Sequence, residues 1–384
     1  MEKLFPEIVK FIKERFPNNS FITLHEPFFL GNEKKYVEEC IDSRFVSSVG
    51  KFVNRFEEDI QRYTGAAYAV ATVNGTAALH TALLLAGVRN NDFVITQPLS
   101  FISTCNAISY IGASPVFIDV DKDTLSLSPE KMRSFLKNEC AIGKDGYSYH
   151  RVSGKLIRAC VLMHTFGHPG RADELGHVCR EHNIAFVEDA AESIGSFYNG
   201  VHTGIIGLVG VFSFNGNKTI TCGGGGVLIT NDECIARKAK HITTQAKVPH
   251  AWEFSHDIIG YNYRMPNINA ALACAQLEQI ESFILNKRDL AREYKNYFTE
   301  KEIHFITEPV NTRSNYWLNA ILLNSYKERE SFLRYTNNNG VMTRPVWKLM
   351  NKLDMFKDCL SGPLDNALYI EDRLVNIPSS IRIN

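Results

Sequence analysis

Between about residues 66 and 230, short apolar runs alternate with longer segments of helical periodicity. This order constrains the fold most strongly, because parallel strands need crossover helices and are buried on both faces of their sheet. The strands that we expect are Tyr68–Val73, Phe93–Gln97, Pro115–Val120, Leu156–Met163, Ile184–Glu188, Leu208–Phe214 and Gly226–Thr230. Helices that we expect between them include Thr76–Ala86, Ser128–Leu136 and Ala172–His182. The alternation predicts an α/β fold with a largely parallel sheet and flanking helices.

The pattern changes after Thr230. A long helix is expected from about Asn267 to Thr299 with little interruption, and short strands and helices follow it. We therefore predict a large α/β domain over residues 1–245, which includes an N-terminal helical segment. A smaller C-terminal α+β domain is expected over residues 246–384.

Charge and composition exclude several classes of protein. The chain has 384 residues, and its 42 Lys and Arg balance its 42 Asp and Glu, so no global basic field is available to bind nucleic acid. No apolar run reaches the ~18 residues of a spanning helix, and we expect no membrane partner. Residues 1–19 mix Glu with Lys and resemble an amphipathic helix, not a signal peptide. Nine Cys without a C-x-x-C pair predict reduced thiols in a cytoplasmic protein.

The sequence Asn74-Gly75-Thr76 follows the first expected strand and begins a helix. Glycine permits a tight turn, and the free N–H groups at a helix N-terminus bind phosphate. An ordinary helix N-cap is the simpler interpretation of this motif by itself. A phosphate-binding turn is the alternative.

Acidic residues end the strand Ile184–Glu188, in the sequence VEDAAE at residues 187–192. In one interpretation, Asp189 caps the segment that follows. In the other, its carboxylate pairs with a cation such as a protonated pyridine nitrogen. The motif alone favours neither interpretation.

Lys218 ends the sequence SFNGNK and is followed shortly by Gly223–Gly226. Most lysines in loops are simply solvated. The alternative is a reactive amine that bonds covalently to a carbonyl carbon. Four consecutive glycines suit a backbone that passes close to a bound group or to another chain.

Together, a phosphate-binding turn, a carboxylate for a ring nitrogen and a reactive lysine are the parts that a pyridoxal-phosphate site needs. With these residues the chain resembles the nucleotide-sugar aminotransferases of the DegT/DnrJ type, which have the pyridoxal-phosphate-dependent transferase fold of type I. The resemblance extends over nearly the whole chain. Its motifs here are FVNRFEEDIQRYTG, VNGTAAL, QPLSFISTCNAISYIGASPVFIDVD, HTFGHP, VEDAAESIGS, FSFNGNK, GGGG, IGYNYRMPNINAA and VMTRPVW.

The resemblance implies roles for residues around the cofactor, pyridoxal 5′-phosphate. Lys218 would bind the cofactor covalently and later carry the proton, and Asp189 would pair with the pyridine nitrogen. Glu192 falls where the family has a polar residue near the 3-oxygen of the ring. Phe101 falls where the family has an aromatic side chain over the ring face.

The resemblance also implies contacts to the cofactor phosphate. Gly75, Thr76 and Ser213 match contacts made within one subunit. Asn262, in the sequence GYNYRM, matches a residue that reaches the phosphate of the neighbouring subunit. A homodimer with shared active sites is therefore expected.

Two positions distinguish this chain from parts of the family. Most members have a Gly-Glu-Gly-Gly sequence after the lysine, and here Gly224 stands in place of the Glu. The branch that dehydrates 4-keto-6-deoxy sugars at C3 has His in place of the lysine. Lys218 argues against that branch.

Residues 25–57 and 343–350 are most similar to the enzymes of legionaminic-acid-type pathways in bacteria. This similarity implies transfer of an amino group from L-glutamate to C4 of a UDP-4-keto-6-deoxy-N-acetylhexosamine, in surface-glycan biosynthesis. Arginine suits a pyrophosphate and tryptophan offers a face to uracil, although surface ion pairs and buried anchors are the ordinary roles of these residues. The residues that would line the sugar-nucleotide pocket are His25, Trp252, Arg264, Arg344 and Trp347.

Other functions are weighed against this one. The nearest is amination at C3 of a dTDP- or UDP-ketosugar, and a more distant one is a non-catalytic regulator that binds pyridoxal phosphate. An NAD-linked oxidoreductase lacks support, because no G-x-G-x-x-G follows the first strand. His164 and His168 have a spacing of four, but Gly167 and Pro169 predict a turn there, so we expect no metal site.

Overall fold

The computed structural model describes residues 2–383. Its α-helices are α1 (Phe5–Arg15), α2 (Glu33–Ser43), α3 (Lys51–Thr64), α4 (Gly75–Leu85), α5 (Ile102–Tyr110), α6 (Pro129–Glu139), α7 (Ala172–Glu181), α8 (Glu233–Thr243), α9 (Asn267–Leu277), α10 (Ile280–Glu300), α11 (Tyr326–Asn338) and α12 (Asp365–Glu371). Its strands are β1 (Tyr68–Thr72), β2 (Phe93–Thr96), β3 (Ser114–Phe117), β4 (Cys140–Ile142), β5 (Ser148–His150), β6 (Ile157–Met163), β7 (Ala185–Asp189), β8 (Phe197–Tyr198), β9 (Val201–His202), β10 (Val209–Ser213), β11 (Gly226–Thr230), β12 (Lys247–Val248), β13 (Ser255–His256), β14 (His304–Phe305), β15 (Thr312–Arg313), β16 (Asn319–Leu322), β17 (Arg344–Pro345) and β18 (Leu374–Ile377).

The main sheet has seven strands in the order β1-β11-β10-β7-β6-β2-β3. Strand β11 is antiparallel to both of its neighbours, whereas the pairs from β10 to β3 are all parallel. The chain connects β10 directly to its neighbour β11 without a crossover helix, and such a connection makes an antiparallel pair. The predicted α/β fold with a largely parallel sheet is confirmed.

Both faces of this sheet are covered. Alternate strand residues such as Val94, Val161 and Val211 pack against α4, α5 and α8 on one face. Their neighbours on the other face pack against α6 and α7 at one end of the sheet, and against α3 and α9 at the other. Burial on both faces explains why the strands are almost continuously apolar in sequence.

A second, antiparallel sheet has the order β14-β16-β18-β17 and packs with α10 and α11. Helix α1 belongs to the same hydrophobic cluster, and the ring of Phe5 meets that of Phe332 edge-on at 5.1 Å between centroids. The N-terminal helix thus packs on C-terminal elements, although we assigned it to the large domain. The domain boundary near residue 245 stays a prediction.

The single helix predicted from Asn267 to Thr299 is two helices. Helix α9 ends at Leu277 and α10 begins at Ile280. Helix α9 is buried nearly all round between α2 and α3, whereas α10 extends to β14 in the second sheet. The two helices therefore pack against different partners. Within residues 2–383, no helix has both the length and the apolar character needed to cross a membrane.

Candidate active site

Lys218 lies in the loop after β10, with its side chain only 11% exposed. Its Nζ is 3.3 Å from Oε1 of Glu192 and lies 4.1 Å from the centroid of the Trp317 ring. The solvated loop lysine, which was the ordinary interpretation, is therefore not what the fold contains. Lys218 is a largely buried amine between a carboxylate and an aromatic face.

Asp189 is the last residue of β7 and is buried. The Thr104 hydroxyl donates to Oδ2 at 2.7 Å, and the Ala191 N–H donates to Oδ1 at 3.2 Å. Burial raises the pKa of this carboxyl above its ordinary value, since the charged form loses water. A cationic partner would restore the ionised form, which is the arrangement expected for a protonated ring nitrogen.

Glu192 is also buried, and its Oε2 accepts a hydrogen bond from the Phe166 N–H at 2.9 Å. Burial raises the pKa of this carboxyl to about 7, although the positive charge of Lys218 acts in the opposite direction. Glu192 can therefore exchange a proton near neutral pH.

The turn at Asn74 begins α4, and the Asn74 side chain accepts the Ala77 N–H at 2.7 Å. The ordinary N-cap is thus present, and it leaves the N–H groups of Gly75 and Thr76 without an intrahelical partner. A Cβ on Gly75 would lie 2.8 Å from Cβ of Ser213. A Cβ on Gly226 would lie 2.4 Å from the Asn74 carbonyl, so the glycine run lets β11 pass directly behind this turn.

These groups surround one cavity of about 310 Å³. The predicted site residues that line it are Gly75, Thr76, Phe101, Asp189, Glu192, Ser213, Lys218 and Trp347. Helix α4, strands β7 and β10 and the loop after β10 bring these residues together at the carboxyl end of the parallel strands, where open α/β sheets bind ligands.

Other predicted residues lie elsewhere in the single chain. Asn262 and Arg264 line a separate groove, and Arg344 is exposed in β17. Trp252 is 78% exposed. These four positions therefore do not line the cavity of their own subunit. They could contact a substrate only outside this cavity or in the cavity of another subunit.

His25 is not among the cavity-lining residues either. Both of its ring nitrogens are buried and have no hydrogen-bond partner among the described residues. Burial, with the charges of Lys287 and Lys218, keeps the pKa of His25 well below its ordinary value. His25 is thus neutral.

The sequence did not identify several residues of the cavity wall. The cavity is also lined by Trp317, Met163, Ser103 and Asn217, and the Thr104 hydroxyl donates to Asp189. Trp317 comes from a segment a hundred residues beyond the lysine, with no local sequence pattern that marks it as a site residue.

His164 has a structural partner. Its Nε2 is 3.0 Å from Oε2 of Glu188, and both side chains are fully buried. Glu188 also accepts N–H groups of the segment 204–207. The turn predicted after His164 is present as a short 3₁₀ helix at Thr165–Gly167. Within the described part of the chain, no group of three or more potential ligands is arranged to hold a metal ion.

The cavity suits pyridoxal 5′-phosphate on the chemistry of its donors. Free helix N–H groups beside Gly75, where a Cβ would clash, fit a phosphate. The buried carboxyl of Asp189 fits a pyridine nitrogen, and the Lys218 amine can bond to an aldehyde. When bound, this cofactor supplies an electron sink for the carbon that loses or gains the amino group.

Comparison with known proteins agrees with this chemistry. The sequence profile of the DegT/DnrJ/EryC1/StrS aminotransferase family matches residues 30–384. The GDP-perosamine synthases of Escherichia coli O157:H7 and Vibrio cholerae are 35% and 33% identical to the chain. The alignments cover 88% of this chain and 88% of the first relative, and 93% and 94% for the second.

The fold is also that of solved aminotransferases. Helicobacter pylori PseC, an aminotransferase involved in the biosynthesis of pseudoaminic acid, superposes with a TM-score of 0.84 at 22% identity, over 93% of each chain. The predicted fold of type I is confirmed by this likeness. The chain therefore belongs to the DegT/DnrJ/EryC1/StrS aminotransferase family and is a pyridoxal-phosphate-dependent aminotransferase.

Proposed function

We propose that the chain is a nucleotide-sugar aminotransferase that moves an amino group from L-glutamate to C4 of a UDP-4-keto-6-deoxy-N-acetylhexosamine. The observation that carries the proposal is the convergence of Lys218, Asp189 and Glu192 on one cavity beside the Gly75 turn. Phe101, Trp317 and Trp347 complete its wall: the Phe101 ring suits the face of the cofactor ring, and the two indoles suit the apolar face of a sugar ring. Legionaminic-acid-type enzymes remain the subfamily that we propose, in the cytoplasm of a bacterium.

The roles that we propose follow from the surroundings of each group. Lys218 holds the cofactor and carries the proton between the reacting carbons, because its amine lines the cavity and lies beside the Glu192 carboxyl. Asp189 keeps a proton on the ring nitrogen, because the buried carboxylate needs a cationic partner. Glu192, with a pKa of about 7, exchanges a proton with a group beside the Lys218 amine. Gly75, Thr76 and Ser213 bind the cofactor phosphate.

Shared active sites in a homodimer are part of the proposal. Asn262 and Arg264 line a groove that also contains Lys247 and His250, and these groups suit the phosphates of a cofactor and a nucleotide. Large apolar side chains are exposed close by in the sequence, including Trp252 and Ile259. Such residues at a surface are typical of an interface, so a second copy of the chain would bring this groove to the cavity. Trp252, Arg264 and Arg344 would then contact substrate from the partner side or at the cavity mouth.

A GDP-linked sugar is the second candidate substrate. The two relatives described above are named GDP-perosamine synthases, and they match this chain over most of its length. Amination at C3 of a dTDP- or UDP-ketosugar and a regulator without turnover are the further alternatives. The complete set of reactive groups in the cavity disfavours the regulator.

The test supplies the holoenzyme with L-glutamate and, in separate reactions, UDP-4-keto-6-deoxy-N-acetylglucosamine, GDP-4-keto-6-deoxymannose and a dTDP-3-ketosugar. The release of 2-oxoglutarate measures turnover, and NMR of the product identifies the carbon that bears the amine. We expect fastest turnover and a C4 amine with the UDP-sugar, and none in the Lys218→Ala variant. Preference for the GDP-sugar would replace the proposed nucleotide, and a C3 amine would overturn the proposed position. A visible cofactor band with no turnover of any ketosugar would favour the regulator.

A further inference from the structure

Lys287, on α10, is a fully buried lysine outside the cavity. Its Nζ donates hydrogen bonds to the carbonyl oxygens of Trp317, at 3.2 Å, and of Ser379. No carboxylate of the described residues forms an ion pair with this amine, and burial lowers the pKa of Lys287 to about 7. A buried amine without a countercharge is costly, so its presence here calls for a reason beyond packing.

Trp317 connects Lys287 to the reactive lysine. The ring of Trp317 lies 4.1 Å from Nζ of Lys218, and its Nε1 donates to the carbonyl oxygen of Asn217 at 2.7 Å. Asn217 is the residue directly before Lys218. The indole therefore contacts both the amine of Lys218 and the backbone carbonyl of the residue before it.

The backbone of Trp317 is also held by hydrogen bonds. Its N–H donates to Oδ1 of Asn315 at 2.8 Å, and the amide of Asn315 in turn donates to the carbonyl oxygen of Glu192 at 2.9 Å. Lys287 takes the remaining polar group, the Trp317 carbonyl. Through Asn217 and Asn315, these contacts fix the position of the indole relative to both Lys218 and Glu192.

We infer that Lys287 is a positioning residue for the transamination: by holding the Trp317 carbonyl it keeps the indole against the Lys218 amine while that amine carries the proton. An aromatic face stabilises a positively charged nitrogen above it, so a displaced indole changes both where the amine lies and how readily it is protonated. The inference rests on the proposed role of Lys218, and it adds Lys287 and Trp317 to that site.

A double-mutant cycle tests this inference in the holoenzyme. The variants are Lys287→Met, which keeps the length of the side chain but removes the donor, Trp317→Leu, and the two combined. Lys295→Met is the matched control, because Lys295 lies on the same helix and is exposed. Two readouts are the maximal rate at which L-glutamate bleaches the visible cofactor band and the half-saturating glutamate concentration. The third is the pH at which that band is half-titrated, which reports how readily the Lys218 nitrogen is protonated.

For Lys287→Met we expect a maximal rate at least tenfold lower, a half-saturating concentration changed less than threefold, and half-titration at lower pH. The double variant should be no slower than Trp317→Leu, because both changes act through one indole. Lys295→Met should match the wild type. If Lys287→Met does not fold, Trp317→Phe, which keeps the ring face but loses the bond to Asn217, should lower the rate less than Trp317→Leu.

The inference would be overturned if the rate losses of Lys287→Met and Trp317→Leu multiplied in the double variant. It would also be overturned if Lys287→Met folded and kept the wild-type bleaching rate and the wild-type pH of half-titration. Equal rates for Trp317→Phe and Trp317→Leu would overturn the part assigned to the aromatic face. Failure of the proposed function is seen separately, because the wild type itself would then show no band or no response to L-glutamate.

Discussion

The Lys218 amine lies 3.3 Å from Oε1 of Glu192, and both side chains are largely withdrawn from water. A carboxyl with a pKa of about 7 thus lies next to the amine that we propose carries the proton. The pair comes from two different loops at the carboxyl edge of the main sheet.

Replacing Lys218 by Ala should remove the covalent attachment of the cofactor. We expect the visible band of the purified protein to change to that of free cofactor, and turnover to fall by at least about a thousandfold, since proton transfer alone contributes 10²–10⁴. Lys238→Ala, an exposed lysine on α8, is the control and should behave as the wild type. Turnover by Lys218→Ala at the wild-type rate would disprove the assignment.

Replacing Glu192 by Gln should change how stability depends on pH. The pKa of Glu192 is about 7 in the folded protein and 4.5 in the reference state, so the folded wild type binds the extra proton between these values. Its stability therefore falls as pH rises from 4.5 to 7. The variant cannot lose a proton there, so its free energy of unfolding should gain on that of the wild type by up to about 1.4 kcal/mol per pH unit.

The measurement for Glu192→Gln is urea unfolding of the cofactor-free protein at a series of pH values. Above pH 7 the difference in free energy of unfolding between variant and wild type should stay constant, having grown by up to about 3.4 kcal/mol from its value below pH 4.5. Glu300→Gln, at the exposed end of α10, should show no such trend. A gap for Glu192→Gln that does not vary between pH 4.5 and 7 would contradict the raised pKa.

Replacing Gly75 by Ala should weaken cofactor binding. The new methyl group would lie 2.8 Å from Cβ of Ser213, so either the turn or β10 must move, at a cost of about 1–3 kcal/mol. We expect at least about a tenfold weaker affinity for pyridoxal phosphate, measured by titration of the cofactor-free protein. Gly224→Ala is the control, because its Cβ would have no neighbour closer than 3.7 Å. Equal affinities for the two variants would exclude a phosphate site tightly packed at Gly75.

Shared active sites predict complementation between two inactive variants. Lys218→Ala and Asn262→Ala should each be weak alone, yet their co-expression should restore activity. Random pairing puts half of the chains in mixed dimers, and each mixed dimer has one site with both residues intact, which gives about a quarter of the wild-type rate. Lys218→Ala with Asp189→Ala is the control, since both residues line one cavity of one chain. Its activity should remain at background, and a similar failure of the first pair would argue against shared sites.

Much of the fold and part of the site could be predicted from local pattern. The alternation of apolar strands and helices between residues 66 and 230 identifies the α/β sheet, because burial on both faces makes each strand almost continuously apolar in sequence. Asp189 and Lys218 could be identified for a related reason. A charged residue at the end of a buried strand or shortly after it is unusual, and the ends of parallel strands meet at one edge.

Tertiary structure decided what depends on contacts between distant segments. The sequence alone predicted that Lys218, Asp189 and the Gly75 turn meet at one sheet edge, since each lies within a few residues of its strand. It did not identify Trp317, Lys287 or Thr104, because their surroundings are ordinary in sequence and they reach the site only through packing. For the same reason, the packing of α1 on α11 and the division of the long helix at residues 278–279 emerged only from the folded chain: which partner buries an apolar face is a property of the assembled core, not of the segment that carries it.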